Sequence, residues 1–176
     1  MRPSTNVFDA LAELLEYPRN GHGATVRALT ERVAAELPEA RADLEPLARF
    51  AENTTLGEAE ELYVRMFDSN AERALEVGWQ VFGEQYERGA FLVDLRGRMR
   101  DLGVAETSEL PDHLTQVLRL LGRMTAVEAQ TLADRAVLRS LERVRGHLAE
   151  GEPYRGVIDA VGKALAGLGV AEGAAR

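Results

Sequence analysis

The sequence predicts an all-α fold, a single helical domain of about seven to eight helices. Apolar residues recur at three- and four-residue spacings along almost the whole chain. No stretch alternates with the two-residue period of a half-buried strand. Capping residues and Gly or Pro punctuate the periodic runs. The 176-residue length suits one domain, and a chain of this size buries roughly 70% of the surface its unfolded form exposes, so it folds without disulfides or a structural metal. The domain is expected over 1–170, with 171–176 as a frayed tail.

The elements follow in order. Val7, Phe8, Leu11, Leu14 and Leu15 share one face of a first helix, capped at Ser4 or Thr5 and stopped by Pro18. A second begins near Thr25, carries Val26, Leu29, Val33 and Leu37, and ends at Pro38. The stretch 40–53 is helical around Leu44, Leu47 and Phe50, with Pro46 expected in its first turn, where a missing N–H is harmless. Thr55 and Glu58 have the spacing of a capping box, opening a helix striped by Leu62, Tyr63, Met66 and Phe67 and broken at Asp68-Ser69-Asn70. A helix from about Glu84 to Leu102 stops at Gly103, with Val104 set for the capping contact. Gly89, Val93 and Gly97 lie four apart on it, which predicts a neighbour packed against its backbone. Leu114, Val117, Leu118, Leu121 and Met124 form the next apolar face. Thr125 and Glu128 make a second capping box, ahead of a long helix bearing Leu132, Ala136, Val137, Leu141, Val144 and Leu148. Gly151 ends that helix, Pro153 restarts the chain, and Val157, Ile158, Val161, Leu165 and Leu168 line the last one.

Composition removes several function classes. The absence of cysteine excludes disulfide frameworks, thiolate metal sites and a cysteine nucleophile, and fits a reducing cytoplasm. Acidic residues outnumber basic ones 29 to 21, a formal charge of −8 that disfavours nucleic acid and anionic lipid and favours a cationic partner. No apolar run approaches the ~20 residues of a membrane span, and the N-terminal residues lack the pattern of a secretory signal. None of His22, His113 or His147 has a glutamate three residues before it, so no di-iron motif is present, and HExxH and a Gly-rich phosphate loop are absent. Arg96, Arg98 and Arg100 do not share one face and read as a solvated helix surface rather than a DNA-binding stripe.

Three blocks carry a resemblance. "ELYVRMFD" (61–68), "FGEQYERGAFL" (82–92) and "SELPDHLTQVL" (108–118), in that order, with "LLEYP" (14–18) ahead of them, resemble the respiratory nitrate reductase assembly chaperones and more broadly the NarJ/TorD superfamily of molybdoenzyme maturation chaperones. The likeness spans roughly 7–165. It implies a non-catalytic cytoplasmic helper, monomer or dimer, without a cofactor or metal of its own. Its partner would be the apo catalytic subunit of a molybdoenzyme of the dimethyl sulfoxide reductase family. The helper would bind that subunit's N-terminal or twin-arginine signal segment and hold it for molybdenum cofactor insertion before export or docking. Carried over by motif, the client-peptide-binding residues are Tyr63, Phe67 and Asp68, then Tyr86, Arg88 and Gly89, then Glu109, Pro111, Asp112 and His113. The chain departs from the nitrate reductase chaperones at Thr115 and Arg119, where they tend to carry Pro and Glu. "ALEVGWQVFGEQYERG" (74–89) is similar to the chaperones of exported molybdoenzymes.

Read as chemistry, an amphipathic cationic peptide calls for an apolar groove with an acidic rim. Asp112 and Glu109 are candidates for the rim, and Leu62, Tyr63, Met66, Trp79 and Phe82 for the wall. Each has a simpler reading beside it. Asp112 reads as the cap of the following helix, with peptide contact in addition, and Pro111 as its first turn. Glu109 suits the positive end of that helix dipole. His113 reads as a histidine bonded to a neighbouring carboxylate or as a binding residue. Tyr63 and Phe67 suit the core, as does Trp79, although tryptophan is enriched at binding hot spots. Arg88 lies four residues from Glu84 and suits a helical ion pair. A regulatory adaptor for another protein partner is the alternative function. An enzyme ranks far behind, since no nucleophile or oxyanion element accompanies the histidine.

Overall fold

The computed structural model describes the backbone of residues 4–173 and the side chains of residues 4–168. Ten α-helical segments follow in order: α1 (Thr5–Leu14), α2 (His22–Glu36), α3 (Arg41–Asn53), α4 (Leu56–Tyr63), α5 (Val77–Phe82), α6 (Tyr86–Asp101), α7 (Leu114–Arg123), α8 (Ala126–Leu132), α9 (Leu138–Gly146) and α10 (Arg155–Gly173). A π-helical turn, Val64–Asp68, prolongs α4, and another, Ala133–Val137, joins α8 to α9 as one rod. With that rod counted once, the described residues form nine helices and no strand.

The core is built around α1, whose Phe8, Leu11 and Leu15 are fully buried. α1 packs between α7 and α2, α2 pairs with α3, and α10 lies across α3 while touching α1, α8 and α9. Both capping boxes form: Thr55 and Glu58 exchange side-chain and backbone bonds, as do Thr125 and Glu128. The helix after Glu84 begins two residues late, at Tyr86. It ends as expected, with Gly103 at φ 68° and the Val104 N–H bonded to the Met99 carbonyl at 2.8 Å.

Several expectations are corrected. α2 starts at His22, released by Gly21 at φ 78°. Pro46 sits inside α3, because a 3₁₀ turn at Pro38–Ala40 leads straight into a helix that starts at Arg41. It is exposed, so the carbonyl it leaves without a helical donor can meet water. Gly151 adopts φ 84° in the turn after α9, which has already ended at Gly146. Nothing packs on the α6 stripe: no atom lies within 4 Å of a side chain at Gly89 or Gly97, and Val93 is 71% exposed. α10 runs on to Gly173, into the stretch expected as tail, and residues 174–176 of that stretch lie outside the described residues.

Candidate functional site

The run 109–114 does not simply open a helix. His113 and Glu76 form an isolated antiparallel bridge. The Val77 N–H donates to the Asp112 carbonyl at 2.7 Å, and the Leu114 N–H to the Leu75 carbonyl at 2.8 Å. Extended backbone sends successive side chains to opposite sides, so Asp112 and His113 part company.

Asp112 turns inward. It is fully buried and pairs with Arg88 of α6, Nε to Oδ2 at 3.0 Å. Gly78 makes room for it: a Cβ there would lie 2.6 Å from the Asp112 Oδ2. Asp112 is therefore an anchor between α6 and the 75–78 segment, not a cap, and Arg88 bonds to it rather than to Glu84. The cap of α7 is His113, whose Nδ1 accepts from the Thr115 N–H at 3.4 Å and lies 2.7 Å from the Thr115 hydroxyl. Pro111 is buried two residues before that cap and is no part of the helix.

His113 turns toward a cleft of about 480 Å³ shared with Tyr17, Tyr63, Phe67, Asp68, Glu76 and Glu109. Its floor is aromatic. Tyr63 stacks edge-on against Tyr17, Phe67 and Tyr154, with ring centroids 5.4, 5.2 and 5.9 Å away, and its hydroxyl donates to the Leu15 carbonyl at 3.0 Å. The π turn ending at Asp68 leaves Phe67 buried and Asp68 exposed at the mouth. Such turns are frequent at functional sites.

Three carboxylates, Asp68, Glu76 and Glu109, line the cleft. Burial, and then the Glu109 charge, raises the Asp68 carboxyl above its ordinary value. Burial lowers His113 below 6.5, while Glu109, Glu76, Asp112 and Asp68 pull it partly back. The Glu109 Oε2 is 4.0 Å from the His113 Nε2. Burial raises the Tyr63 phenol, so it stays a neutral donor. The result is a negatively lined, aromatic-floored cleft suited to a guanidinium or ammonium group with apolar neighbours. Among the described residues, no group of three His, Cys, Asp or Glu could hold a metal ion.

The structure thus brings together Tyr63, Phe67, Asp68, Glu109 and His113. Leu62 and Met66 are core rather than wall. Trp79 is half-buried with Phe82 in a different cleft, its indole N–H donating to the Ala71 carbonyl at 3.1 Å. Tyr86 (89% exposed) and Gly89 lie outside the cleft on the surface of α6. Sequence reasoning missed Tyr17 and Glu76 as site residues. Both lie inside quoted blocks, Tyr17 in LLEYP and Glu76 in ALEVGW, and tyrosine in a short inter-helical loop was the available signal.

Comparison with known proteins follows the same blocks. The family described as "Nitrate reductase delta subunit" matches residues 34–150, which contain all three blocks from 61 to 118. Two relatives, each described as "Nitrate reductase molybdenum cofactor assembly chaperone NarJ", come from Escherichia coli (strain K12) and Escherichia coli O157:H7. Each is 30% identical over 140 residues, 77% of this chain. The chain spans 59% of the length of those relatives.

Proposed function

Because this chain belongs to the nitrate reductase delta subunit family of NarJ-like molybdenum cofactor assembly chaperones, we propose that it is a non-catalytic assembly chaperone for the catalytic subunit of a nitrate reductase. It acts in the cytoplasm, where the subunit is made, and binds the subunit's N-terminal segment in the acidic cleft before the molybdenum cofactor is inserted. The observation that carries this reading is the convergence of Asp68, Glu76 and Glu109 over the floor of Tyr17, Tyr63 and Phe67. A cation on the client segment meets the carboxylates while apolar neighbours pack on the rings. His113 fixes one wall, tied to Thr115 on α7 and to Glu76 across the backbone bridge. Among the described residues, no helix is long and apolar enough to cross a membrane.

The test is calorimetric titration of the whole chain with a synthetic N-terminal peptide of the nitrate reductase catalytic subunit from the same organism. Wild type is expected to bind with salt-sensitive affinity, and Glu76→Gln with Glu109→Gln to weaken binding about tenfold or more. Deletion of the chain in cells should leave that subunit molybdenum-poor. Full molybdenum loading in the deletion strain, or peptide affinity unchanged in the double variant, would overturn the reading in favour of an adaptor for some other partner.

A further inference from the structure

A second cleft, of about 840 Å³, carries the opposite charge. Trp79 and Phe82, both half-buried, supply its apolar surface. The indole N–H is already spent on the Ala71 carbonyl. Gln80 fixes the same segment by donating its amide to the Ala71, Glu72 and Ala74 carbonyls. Along the facing helix, Arg139, Arg143 and His147 follow at four-residue spacing, so successive side chains sit about 6 Å apart on one face.

The two arginines are left without a carboxylate. The Arg139 side chain has neither a hydrogen bond nor an ion pair to any described residue, and Arg143 donates to the Gln80 carbonyl at 2.6 Å but meets no carboxylate. By contrast Arg135 and Arg145, before and after them, each face an aspartate. Among the residues lining the cleft, Glu72 is the one carboxylate, and it lies 3.4 Å from His147. A chain of net charge −8 thus keeps two neighbouring arginines without a carboxylate beside a half-buried tryptophan–phenylalanine surface.

We propose that this cleft docks an acidic amphipathic helix of a protein partner. Two arginines spaced by one helical turn match carboxylates at the same spacing on a helix laid along the groove, and Trp79 and Phe82 take its apolar anchors. A free phosphate instead requires donors converging on one point. The site is distinct from the proposed client cleft: among their lining residues the two share Ala71 alone.

Trp79 is the sole tryptophan of the chain, so its emission reports the cleft directly. The probe is a synthetic helix with leucines on one face and flanking glutamates, beside a twin in which lysines replace the glutamates. The glutamate peptide is expected to give a saturating, salt-sensitive shift that Arg139→Glu weakens about tenfold, and the lysine twin no saturating shift. Arg139 makes no bond whose loss would unfold the chain, and a thermal melt of the variant checks this. Equal binding of the two peptides, or undiminished binding by Arg139→Glu, would overturn the proposal. Displacement of the glutamate peptide by equimolar adenosine monophosphate or inorganic phosphate would overturn it in favour of a free-anion site.

Discussion

Capping α7 through the His113 Nδ1 fixes where that imidazole keeps its proton. Nδ1 must stay an acceptor for the Thr115 N–H, so the neutral ring carries its hydrogen on Nε2, the nitrogen nearest Glu109. Protonation would add charge to a buried ring and also destroy the cap. Both effects agree with a folded value lowered below 6.5. The sign follows from linkage: between the lowered folded value and 6.5 the unfolded chain binds more protons. Stability therefore falls as pH drops through that window, by up to about 1.4 kcal/mol per pH unit. His113→Asn keeps a capping oxygen but cannot titrate there, so urea melts across that window are expected to show a shallower slope than wild type. An unchanged slope would mean that another group governs it. The neighbouring pair behaves differently. Arg88→Leu strands the fully buried Asp112 carboxylate and is expected to cost about 3–5 kcal/mol. Arg88 is itself 21% exposed, so Asp112→Asn, which leaves a cation able to reach water, should cost distinctly less. Denaturant midpoints of the two variants decide between these.

At the scale of elements, tight approaches and local exceptions matter more than propensity. Gly78 stands where a Cβ would meet the Asp112 Oδ2 at 2.6 Å and the Phe91 ring at 3.1 Å. Gly78→Ala must therefore displace either the Asp112 carboxylate or the 75–78 segment that carries Glu76. In α3 the balance is opposite. Pro46 is exposed and its ring fills no core position, so Pro46→Ala restores one helical bond and is expected to stabilise the chain by about 2 kcal/mol after the unfolded-state entropy it releases. A melt that moves downward would show that the proline is compensated elsewhere. Helix existence and faces were legible, because periodicity and caps are local: the residues of the last three apolar faces, Leu114 to Leu168, are buried as read. Three things were not. The π turns leave no mark in a three-and-four pattern. The cap at His113 depends on an extended bridge to Glu76, a partner 37 residues back. The open face of Gly89 and Gly97 shows that small residues permit close packing without requiring it.

The whole molecule is organised by charge as well as by its core. The acidic cleft gathers residues from the α1–α2 loop, the end of α4, the 69–76 segment and the 109–113 run. Composition showed a surplus of carboxylates but not where it would concentrate, since that needs segments far apart in sequence. Asp112, the acid the motif made most prominent, pairs with Arg88, while Glu76, inside a quoted block but not among the expected site residues, lines the cleft. This separates two explanations of the proposed capture of a cationic peptide: the field of the whole chain, or local focusing by the cleft. Asp68→Asn, Glu76→Gln and Glu109→Gln together remove three negative charges from the cleft. A control triple, Glu84→Gln, Glu87→Gln and Glu150→Gln, removes the same charge from exposed positions that form no ion pair among the described residues. Clefts with low-dielectric walls concentrate field lines, whereas exposed charges further away are screened within about 10 Å at ordinary ionic strength. Stopped-flow association with a cationic peptide is expected to slow about tenfold in the cleft triple and to change less than about twofold in the control. Raising the salt should narrow the gap between wild type and the cleft triple. Equal slowing of the two triples would assign capture to net charge alone and leave the cleft no part in steering.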